Sequence, residues 1–289
     1  MACLQLDTTD QAGHLDYPLT AAQPLSTTNT MNTSYLQQTF GLDQRTALVT
    51  GSARGIGLAI ASALGQAGAR VVINDIAPEP CEQAVASLRA AGIDARHVCF
   101  DVSDHEAVQE ARNTLDAEGW PVDILVNNAG NQNRKLLVDL SPGEWQQLMN
   151  VHVNGAFNCS HAFLPGMCRR GYGRVVMTSS ISAMATMPYI PAYSAAKAAM
   201  ASLARSIAVE YAAHGVTANA IAPGFVRTEF TTGLQQREGF EQYLQESVPA
   251  GRWALPEDIA PVVLFLVSPG GSFVNGQTLA IDGGLLARA

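Results

Sequence analysis

A tyrosine and a lysine four residues apart are the side chains in this sequence best suited to acid/base chemistry. Tyr193 and Lys197 lie in the segment Tyr193-Ser-Ala-Ala-Lys-Ala-Ala-Met200, whose strong helix formers place both on one helical face. A free phenol has a pKa of about 10 and is a poor base at neutral pH. A cation at about 4 Å stabilises the phenolate by roughly 1 to 4 kcal/mol, and about 1.36 kcal/mol moves a pKa by one unit. We therefore predict that Lys197 lowers the pKa of Tyr193, which then exchanges a proton with a hydroxyl group.

Short apolar runs that alternate with helical stretches predict the elements that hold this pair. The runs begin at Thr46 and are bounded by turn residues, as buried parallel strands are. Apolar residues at helical spacing between the first two runs predict a right-handed β-α-β unit. The sequence therefore predicts an α/β fold with a single doubly wound, parallel, seven-stranded sheet and helices on both faces. The predicted strands are 46–50, 71–74, 97–100, 124–126, 174–178, 216–221 and 278–281.

A glycine-rich turn follows the first predicted strand. Its three glycines, in Thr50-Gly51-Ser-Ala-Arg-Gly55-Ile-Gly57, permit a tight turn and a close backbone approach. The helix that follows offers free N–H groups to a pyrophosphate. This segment predicts a Rossmann-type dinucleotide site to which we assign Gly51, Ser52, Arg54, Gly55, Ile56 and Gly57.

Asp75 bears on the choice of dinucleotide. It ends the second predicted strand, where this fold places an acid against the hydroxyl groups of the adenosine ribose. Its carboxylate repels a 2′-phosphate and favours NAD(H) over NADP(H), whereas Arg54 in the glycine turn is suited to bind such a phosphate. NAD(H) is therefore the predicted cofactor, with NADP(H) as the alternative.

A nicotinamide cofactor and a basic tyrosine together predict hydride transfer between the cofactor and a secondary alcohol or ketone. A carbinol carbon that gives up hydride must lose its hydroxyl proton at nearly the same time, so a base must lie within hydrogen-bond reach. The charge of an oxidised nicotinamide would add to that of Lys197 and bring the pKa of Tyr193 down by a few units. Tyr193 is the predicted acid/base.

Each of these features also has a purely structural interpretation. The glycines are equally expected in a tight turn that binds nothing. Asp75 is suited to cap a helix, and Tyr193 to pack as a buried aromatic residue with a polar tip.

The chain divides into two parts. Residues 1 to about 43 have no helix or strand period and predict a flexible leader, with Met31 as a second candidate start. Residues 44–289 predict a single dinucleotide-binding and catalytic domain. Within it, the mixture of polar and aromatic residues at about 225–250 predicts a lid.

Composition excludes several classes of protein. With 47% hydrophobic and 15% charged residues and a net charge of −8, the chain has no basic footprint for nucleic acid or an anionic membrane. No apolar run approaches the roughly 20 residues that span a bilayer. The five cysteines form no C-x-x-C pair and the six histidines are scattered, so we expect reduced thiols, no metal site and a cytoplasmic location.

The order of several motifs resembles the short-chain dehydrogenase/reductase family. The glycine turn is followed by Asn127-Asn-Ala-Gly130, by Ser180, and by Tyr193-x-x-x-Lys197. Pro223-Gly224 and Asp282-Gly283-Gly284 extend the resemblance, which covers residues 46 to about 285.

The resemblance implies roles for further residues. Ser180 holds the substrate oxygen beside Tyr193, and Lys197 also binds the nicotinamide ribose. Asp101 and Val102 flank the adenine, Asn128 lies by the ribose, and Val226 and Thr228 contact the nicotinamide carboxamide. Ala129, Gly130, Pro223 and Gly224 complete the implied cofactor site. Without the resemblance, Ser180 is equally a turn or cap serine.

One position departs from the family. The usual catalytic asparagine, which helps to hold a proton-relaying water, falls on His152 and not on Asn154. A backbone carbonyl that held the water would tolerate histidine, whereas a role for the side chain would require a different relay. A histidine that is merely packed is equally expected.

The predicted substrate is a sugar acid, a polyol or a related hydroxy compound. Asn131-Gln-Asn-Arg134 and Pro249-Ala-Gly-Arg-Trp253 look most like the gluconate 5-dehydrogenase branch of the family, and Arg134 would pair with a carboxylate unless it is only a solvated loop residue. The alternatives are a 3-oxoacyl thioester reductase and a catalytically silent dinucleotide-sensing module. By resemblance, helices near 154–167 and 193–213 would form a homotetramer.

Overall fold

Seven strands form one parallel sheet, as the sequence predicts. The order is β3-β2-β1-β4-β5-β6-β7, and every neighbouring pair is parallel. The strands are β1 Thr46–Val49, β2 Arg70–Ile73, β3 Ala95–His97, β4 Ile124–Asn127, β5 Gly173–Thr178, β6 Val216–Pro223 and β7 Thr278–Ile281. This computed structural model describes residues 32–288.

The third strand lies two residues before its predicted position and ends at His97, not at residue 100. The ladder between β2 and β3 ends with the pair Ile73 and His97. Beyond it, the side-chain amide of Asn74 donates to the carbonyls of Val98 and Phe100 at 3.2 and 3.1 Å. A side chain thus satisfies the backbone groups that a longer strand would pair.

Helices cover both faces of the sheet. One apolar layer packs α2, α3 and α10 against it, and the other packs α4, α6 and α7 on the opposite face. No helix within residues 32–288 is long and apolar enough to cross a membrane. The helices are α1 Thr33–Phe40, α2 Gly55–Gln66, α3 Pro78–Ala90, α4 His105–Ala117, α5 Pro142–Met149, α6 Gly155–Arg170, α7 Pro191–Tyr211, α8 Thr232–Gln235, α9 Phe240–Ser247 and α10 Pro256–Val267.

The strand order creates the crevice that positions the site. The chain leaves β1 toward β2 on one side, and β4 lies on the other side of β1. In open α/β sheets such a switch point opens a crevice at the carboxyl ends of the strands, where ligands bind. The glycine turn after β1 and the segment after β4 both lie there.

The predicted leader is wrong in its last part. Thr33–Phe40 is helical, and Leu42 is 1% exposed in the core. The helix buries none of its own residues, so no apolar face marked it in the sequence. The rest of the predicted leader, including Met31, lies outside the described residues.

The segment predicted as a lid has its own apolar cluster. It contains α8, α9 and a short 3₁₀ turn at Glu229–Thr231. Aromatic rings pack edge to face in this cluster, with Phe225 5.2 Å from Phe240 and 6.0 Å from Trp253 between ring centroids. The segment is therefore a small folded unit rather than an irregular loop.

Candidate active site

The glycine turn presents bare backbone because no side chain fits. Gly51 has φ +60°, and a Cβ there would lie 2.8 Å from the Cα of Ala129. A Cβ on Gly57 would lie 2.5 Å from the carbonyl oxygen of Gly51. Gly55, with φ +59°, faces Thr228, whose nearest methyl carbon would be 3.7 Å from an added Cβ. Only glycine allows this approach of the two loops.

The start of α2 fits the pyrophosphate of a dinucleotide. No side chain caps its first turn, and no acidic residue lies there. Its N–H groups therefore remain available to phosphate oxygens, and the helix dipole favours an anion. Arg54 precedes the helix, and its guanidinium lies 2.8 Å from the carboxylate of Glu229 in the lid segment. Both side chains of this pair are exposed.

Hydrogen bonds join the turns that follow β1 and β4. The hydroxyl of Thr50 accepts from the backbone N–H groups of Asn128 and Ala129, each at 3.0 Å. The amide of Asn128 donates to the carbonyls of Thr50 and Gly51, also at 3.0 Å. These bonds leave the amide oxygen of Asn128 free to accept from a ribose hydroxyl, which fits its implied role.

The side chain of Ser52 lies in the core. It is fully buried, and its hydroxyl donates to the carbonyl of Val49 at 2.6 Å and accepts from the N–H of Asn74 at 3.1 Å. Its own N–H donates to the carbonyl of Asn74 at 2.8 Å. The hydroxyl and the N–H of Ser52 therefore tie β1 to the residue that follows β2, and a contact with a cofactor at this position would use its backbone carbonyl.

The residues assigned to the adenosine end lie at the carboxyl ends of β2 and β3. One carboxylate oxygen of Asp75 accepts from the N–H of Ile76 at 2.8 Å. Asp101 is exposed and accepts from Ser103. Val102 is 5% exposed and belongs to the apolar layer under α6, so its side chain is mainly a packing residue.

The residues implied to contact the nicotinamide end follow β6. Pro223 ends that strand, and a Cβ on Gly224 would lie 2.9 Å from the Cα of Asp282. Val226 is 3% exposed and forms a parallel bridge with Ala254. Thr228 begins the 3₁₀ turn of the lid segment opposite Gly55. These residues frame the crevice on the side of the lid.

Ser180, Tyr193 and Lys197 come together as predicted. The hydroxyl of Ser180 lies near enough to that of Tyr193 to lower the pKa of Tyr193, and it accepts from the N–H of Ser182 at 3.1 Å. The ammonium of Lys197 lies 5.4 Å from the centroid of the Tyr193 ring and donates to the carbonyl of Thr178 at 2.6 Å. Strand β5 and helix α7 therefore carry the three groups to one point.

The predicted pKa of Tyr193 is wrong for the protein without cofactor. Burial raises the pKa of Tyr193 to about 12, and the Ser180 hydrogen bond and Arg134 offset only part of this rise. Burial also lowers the pKa of Lys197 to about 7. The error arose because the sequence shows the spacing of the two groups and not the desolvation of both. Tyr193 is thus protonated at neutral pH and is suited to donate a proton.

Arg134 and the ring of Phe230 lie near Tyr193, and Arg237 acts on Arg134. Burial lowers the pKa of Arg134, the neighbouring Tyr193 raises it, and Arg237 from the lid segment lowers it again. The ring of Phe230 lies 6.3 Å from that of Tyr193 between centroids. Sequence reasoning missed Arg237 because it lies 103 positions after Arg134 and no local pattern marks it.

His152 is the other residue whose placement the sequence left open. It is 1% exposed and lies in a π-helical turn, Asn150–Asn154, between α5 and α6. Burial, followed by the charge of Lys197, lowers its pKa to about 3. The side chain is therefore neutral and does not titrate near pH 7.

Known proteins match nearly all of the chain from the glycine turn to the last strand. A family model described as enoyl-(acyl carrier protein) reductase matches residues 51–286. Gluconate 5-dehydrogenase from Gluconobacter oxydans is 39% identical over 246 residues, which cover 85% of this chain and 96% of that protein. The 5-keto-D-gluconate 5-reductase of Escherichia coli strain K12 is 37% identical over 247 residues, 86% of this chain and 97% of that protein.

A solved structure of a gluconate 5-dehydrogenase is also similar to this chain over most of its length. The gluconate 5-dehydrogenase from Burkholderia cenocepacia, in complex with NADP and tartrate, is 38% identical with a TM-score of 0.85 and covers 88% of this chain and 100% of that one. The residues that the family model matches span the glycine turn, Ser180, Tyr193 and Lys197. The chain therefore belongs to the short-chain dehydrogenase/reductase family and is a nicotinamide-dependent oxidoreductase of CH–OH groups.

Proposed function

We propose that the protein interconverts a keto-sugar acid and the corresponding hydroxy acid. The observation that carries this proposal is the position of Arg134 on a short loop whose two ends are tied to the surroundings of Tyr193, through His152 at Asn131 and through the Tyr189 carbonyl at Lys135. The charge of Arg134 also lowers the pKa of Tyr193. Arg237 adds a second cation. A carboxylate bound between them would hold the rest of the substrate beside the proton donor, and arginine is suited to bidentate carboxylate binding. The relatives named for gluconate and 5-keto-D-gluconate support the same substrate class.

Tyr193 and Ser180 divide the work at the substrate oxygen. In the reductive direction Tyr193 donates its proton to the ketone oxygen as the carbonyl carbon is reduced, which leaves an alcohol and a phenolate. The hydroxyl of Ser180 polarises the same oxygen by hydrogen bonding. The nicotinamide supplies the hydride. Lys197 then stabilises the phenolate until solvent returns the proton.

The lid segment would exclude water from this reaction. Its Phe230 ring lies beside the Tyr193 ring, 6.3 Å away between centroids and tilted by 41°, and the side-chain amide of Gln132 donates to the Phe230 carbonyl at 2.9 Å. This bond links the lid to the segment that carries Arg134. Exclusion of water strengthens the electrostatic contacts of the bound substrate.

Replacement of Arg134 by glutamine tests the carboxylate contact. A hydrogen bond to a charged group contributes about 1.5–3 kcal/mol, so we expect KM for 5-keto-D-gluconate to rise by about 10- to 100-fold. The KM of an uncharged ketone is expected to stay within about threefold of the wild-type value, because that substrate has no carboxylate for the guanidinium to bind. Initial rates followed by absorbance of the reduced cofactor measure both.

The matched control is Arg169→Gln, which removes an exposed arginine at the end of α6. It is expected to change neither KM. Equal rises in KM for the acid and the uncharged ketone in Arg134→Gln would contradict a carboxylate-binding role.

The cofactor choice depends on two residues of opposite charge near the adenosine ribose. The prediction of NAD(H) from Asp75 receives no support from the Burkholderia relative, which binds NADP. Arg54 is suited to a 2′-phosphate, although Glu229 at 2.8 Å neutralises it in this structure. We propose that the site accepts NADP(H), as that relative does, and that the Asp75 carboxylate limits the preference for it.

Replacement of Asp75 by serine tests that limit. The change removes a like charge beside a 2′-phosphate and keeps a small polar side chain, so the affinity for NADPH relative to NADH is expected to rise by about tenfold or more. Fluorescence titration with each cofactor measures the ratio. An exposed acid far from the site, Asp116→Ser in α4, is the control. An unchanged ratio in Asp75→Ser would exclude Asp75 from the 2′ position.

The remaining alternatives have distinct outcomes in the same assay. A 3-oxoacyl thioester reductase would prefer acetoacetyl thioesters, and a silent sensing module would bind cofactor without turnover. The homotetramer and the cytoplasmic location stay predictions.

A further inference from the structure

We infer that His152 is a positioning residue that sets the distance between Tyr193 and the loop that carries Arg134. This inference rests on the proposed role of Arg134 in binding a carboxylate. It concerns a position at which this chain has histidine where its family usually has asparagine.

The His152 ring fills the space between the two groups. Its centroid lies 5.6 Å from that of the Tyr193 ring, and the two planes meet edge to face at 87°. On its other side, a Cβ on Gly130 would lie 2.4 Å from the Cε1 atom of His152. The imidazole thus contacts both helix α7 and the segment after β4, and it lies so close to Gly130 that no side chain fits there.

The ring also binds the start of the substrate loop. Its Nε2 atom lies 2.7 Å from the carbonyl oxygen of Asn131 and 3.2 Å from the Asn131 nitrogen. A neutral imidazole donates from Nε2 to the carbonyl in one tautomer and accepts from the N–H in the other. Either bond holds the backbone three residues before Arg134.

The loop is fixed at its other end as well. The N–H of Lys135 donates to the carbonyl of Tyr189 at 3.0 Å. Arg134 therefore lies one residue before the anchor at Lys135 and three residues after the anchor at Asn131. The distance between its guanidinium and the Tyr193 hydroxyl depends on both anchors. Loss of the His152 anchor would leave the polar backbone groups of Asn131 without that partner and allow the loop to shift.

The neutral state of His152 is part of this arrangement. Two titratable groups of α7 face it: Lys197, whose charge lowers the pKa of His152, and Tyr193, whose ring contacts the imidazole. The charge of Lys197 and the burial keep the imidazole uncharged. A neutral ring adds no repulsion to the two arginines of the substrate side.

Two substitutions distinguish the role of the Nε2 hydrogen bond from the role of the aromatic ring. His152→Phe keeps the aromatic contact with Tyr193 and removes Nε2, whereas His152→Gln can place an amide group near the Nε2 position. We expect His152→Phe to raise KM for 5-keto-D-gluconate by about tenfold, with kcat for an uncharged ketone and the Kd of NADPH within about threefold of wild type. We expect His152→Gln to recover most of the KM.

The double variant with Arg134→Gln tests the coupling. If His152 acts through Arg134, adding His152→Phe to Arg134→Gln raises KM little further, because residues that act through one contact are not additive. Additive effects, or a fall in kcat for both ketones, would overturn the inference and indicate a role in proton transfer or in general stability. A normal KM for Arg134→Gln would instead reject the proposed function, and the two failures are thereby distinguished.

Discussion

Tyr193→Phe is expected to lower kcat for ketone reduction by about 10² to 10⁴, the range that positioned general acids contribute. The phenylalanine keeps the ring contact with His152 and loses only the hydroxyl that lies near Ser180. Cofactor affinity is expected to stay within about threefold of wild type, since the glycine turn and the start of α2 are unchanged. Initial rates at saturating substrate, together with fluorescence titration of NADPH, measure the two effects.

Tyr211→Phe is the matched control, because Tyr211 ends the same helix and packs against the apolar layer away from the crevice. It is expected to retain full kcat. A Tyr193→Phe enzyme that kept more than about a tenth of the wild-type kcat would remove Tyr193 from the proposed chemistry.

Gly57→Ala is expected to impair stability and cofactor binding together. The added methyl group would lie 2.5 Å from the Gly51 carbonyl oxygen, 2.6 Å from the Asn128 amide nitrogen and 2.8 Å from the Ser52 Cα. Two of these atoms are backbone, so the glycine turn must move. Overpacking of this kind costs about 1–3 kcal/mol, and the displaced N–H groups would no longer face a pyrophosphate. Urea denaturation and NADPH titration measure the losses.

Gly143→Ala is the control for Gly57→Ala. Gly143 also lies in the first turn of a helix, and nothing lies within 4 Å of a Cβ built on it. Alanine is there expected to be neutral or to stabilise the protein by up to about 1 kcal/mol. If Gly57→Ala were as stable as Gly143→Ala and bound NADPH normally, the close approach of the two loops would not matter for the site.

Much of the fold could be predicted from local patterns. The apolar runs located six of the seven strands, because strands that helices cover on both faces must be continuously apolar. The third strand, Ala95–His97, shares only His97 with its predicted run. The apolar pattern mispredicted the end of a strand where a long-range polar contact determines it. The side-chain amide of Asn74 donates to two carbonyls beyond the end of β3. The apolar pattern also failed at α1, which buries no residue of its own.

In the candidate site, too, local features could be predicted from the sequence and long-range contacts could not. Tyr193 and Lys197 were predicted because their helical spacing is local, and Ser180 because its position before them resembles a known family. The raised pKa of Tyr193 and the proximity of Arg237 to Arg134 depend on burial and on chain segments far apart in sequence, which spacing does not reveal. The burial of the Ser52 side chain could not be predicted either, because membership of a motif does not show which way a side chain points.

The central claim is that Tyr193 and Arg134 together make this protein a reductase of keto-sugar acids. The most direct measurement follows oxidation of NADPH and NADH by the purified protein with 5-keto-D-gluconate, an uncharged ketone and acetoacetyl-CoA. The account predicts turnover of 5-keto-D-gluconate with a kcat/KM at least about tenfold above the other two substrates, as expected for one charged contact. Preference for the thioester, or cofactor binding without turnover of any of the three, would contradict it.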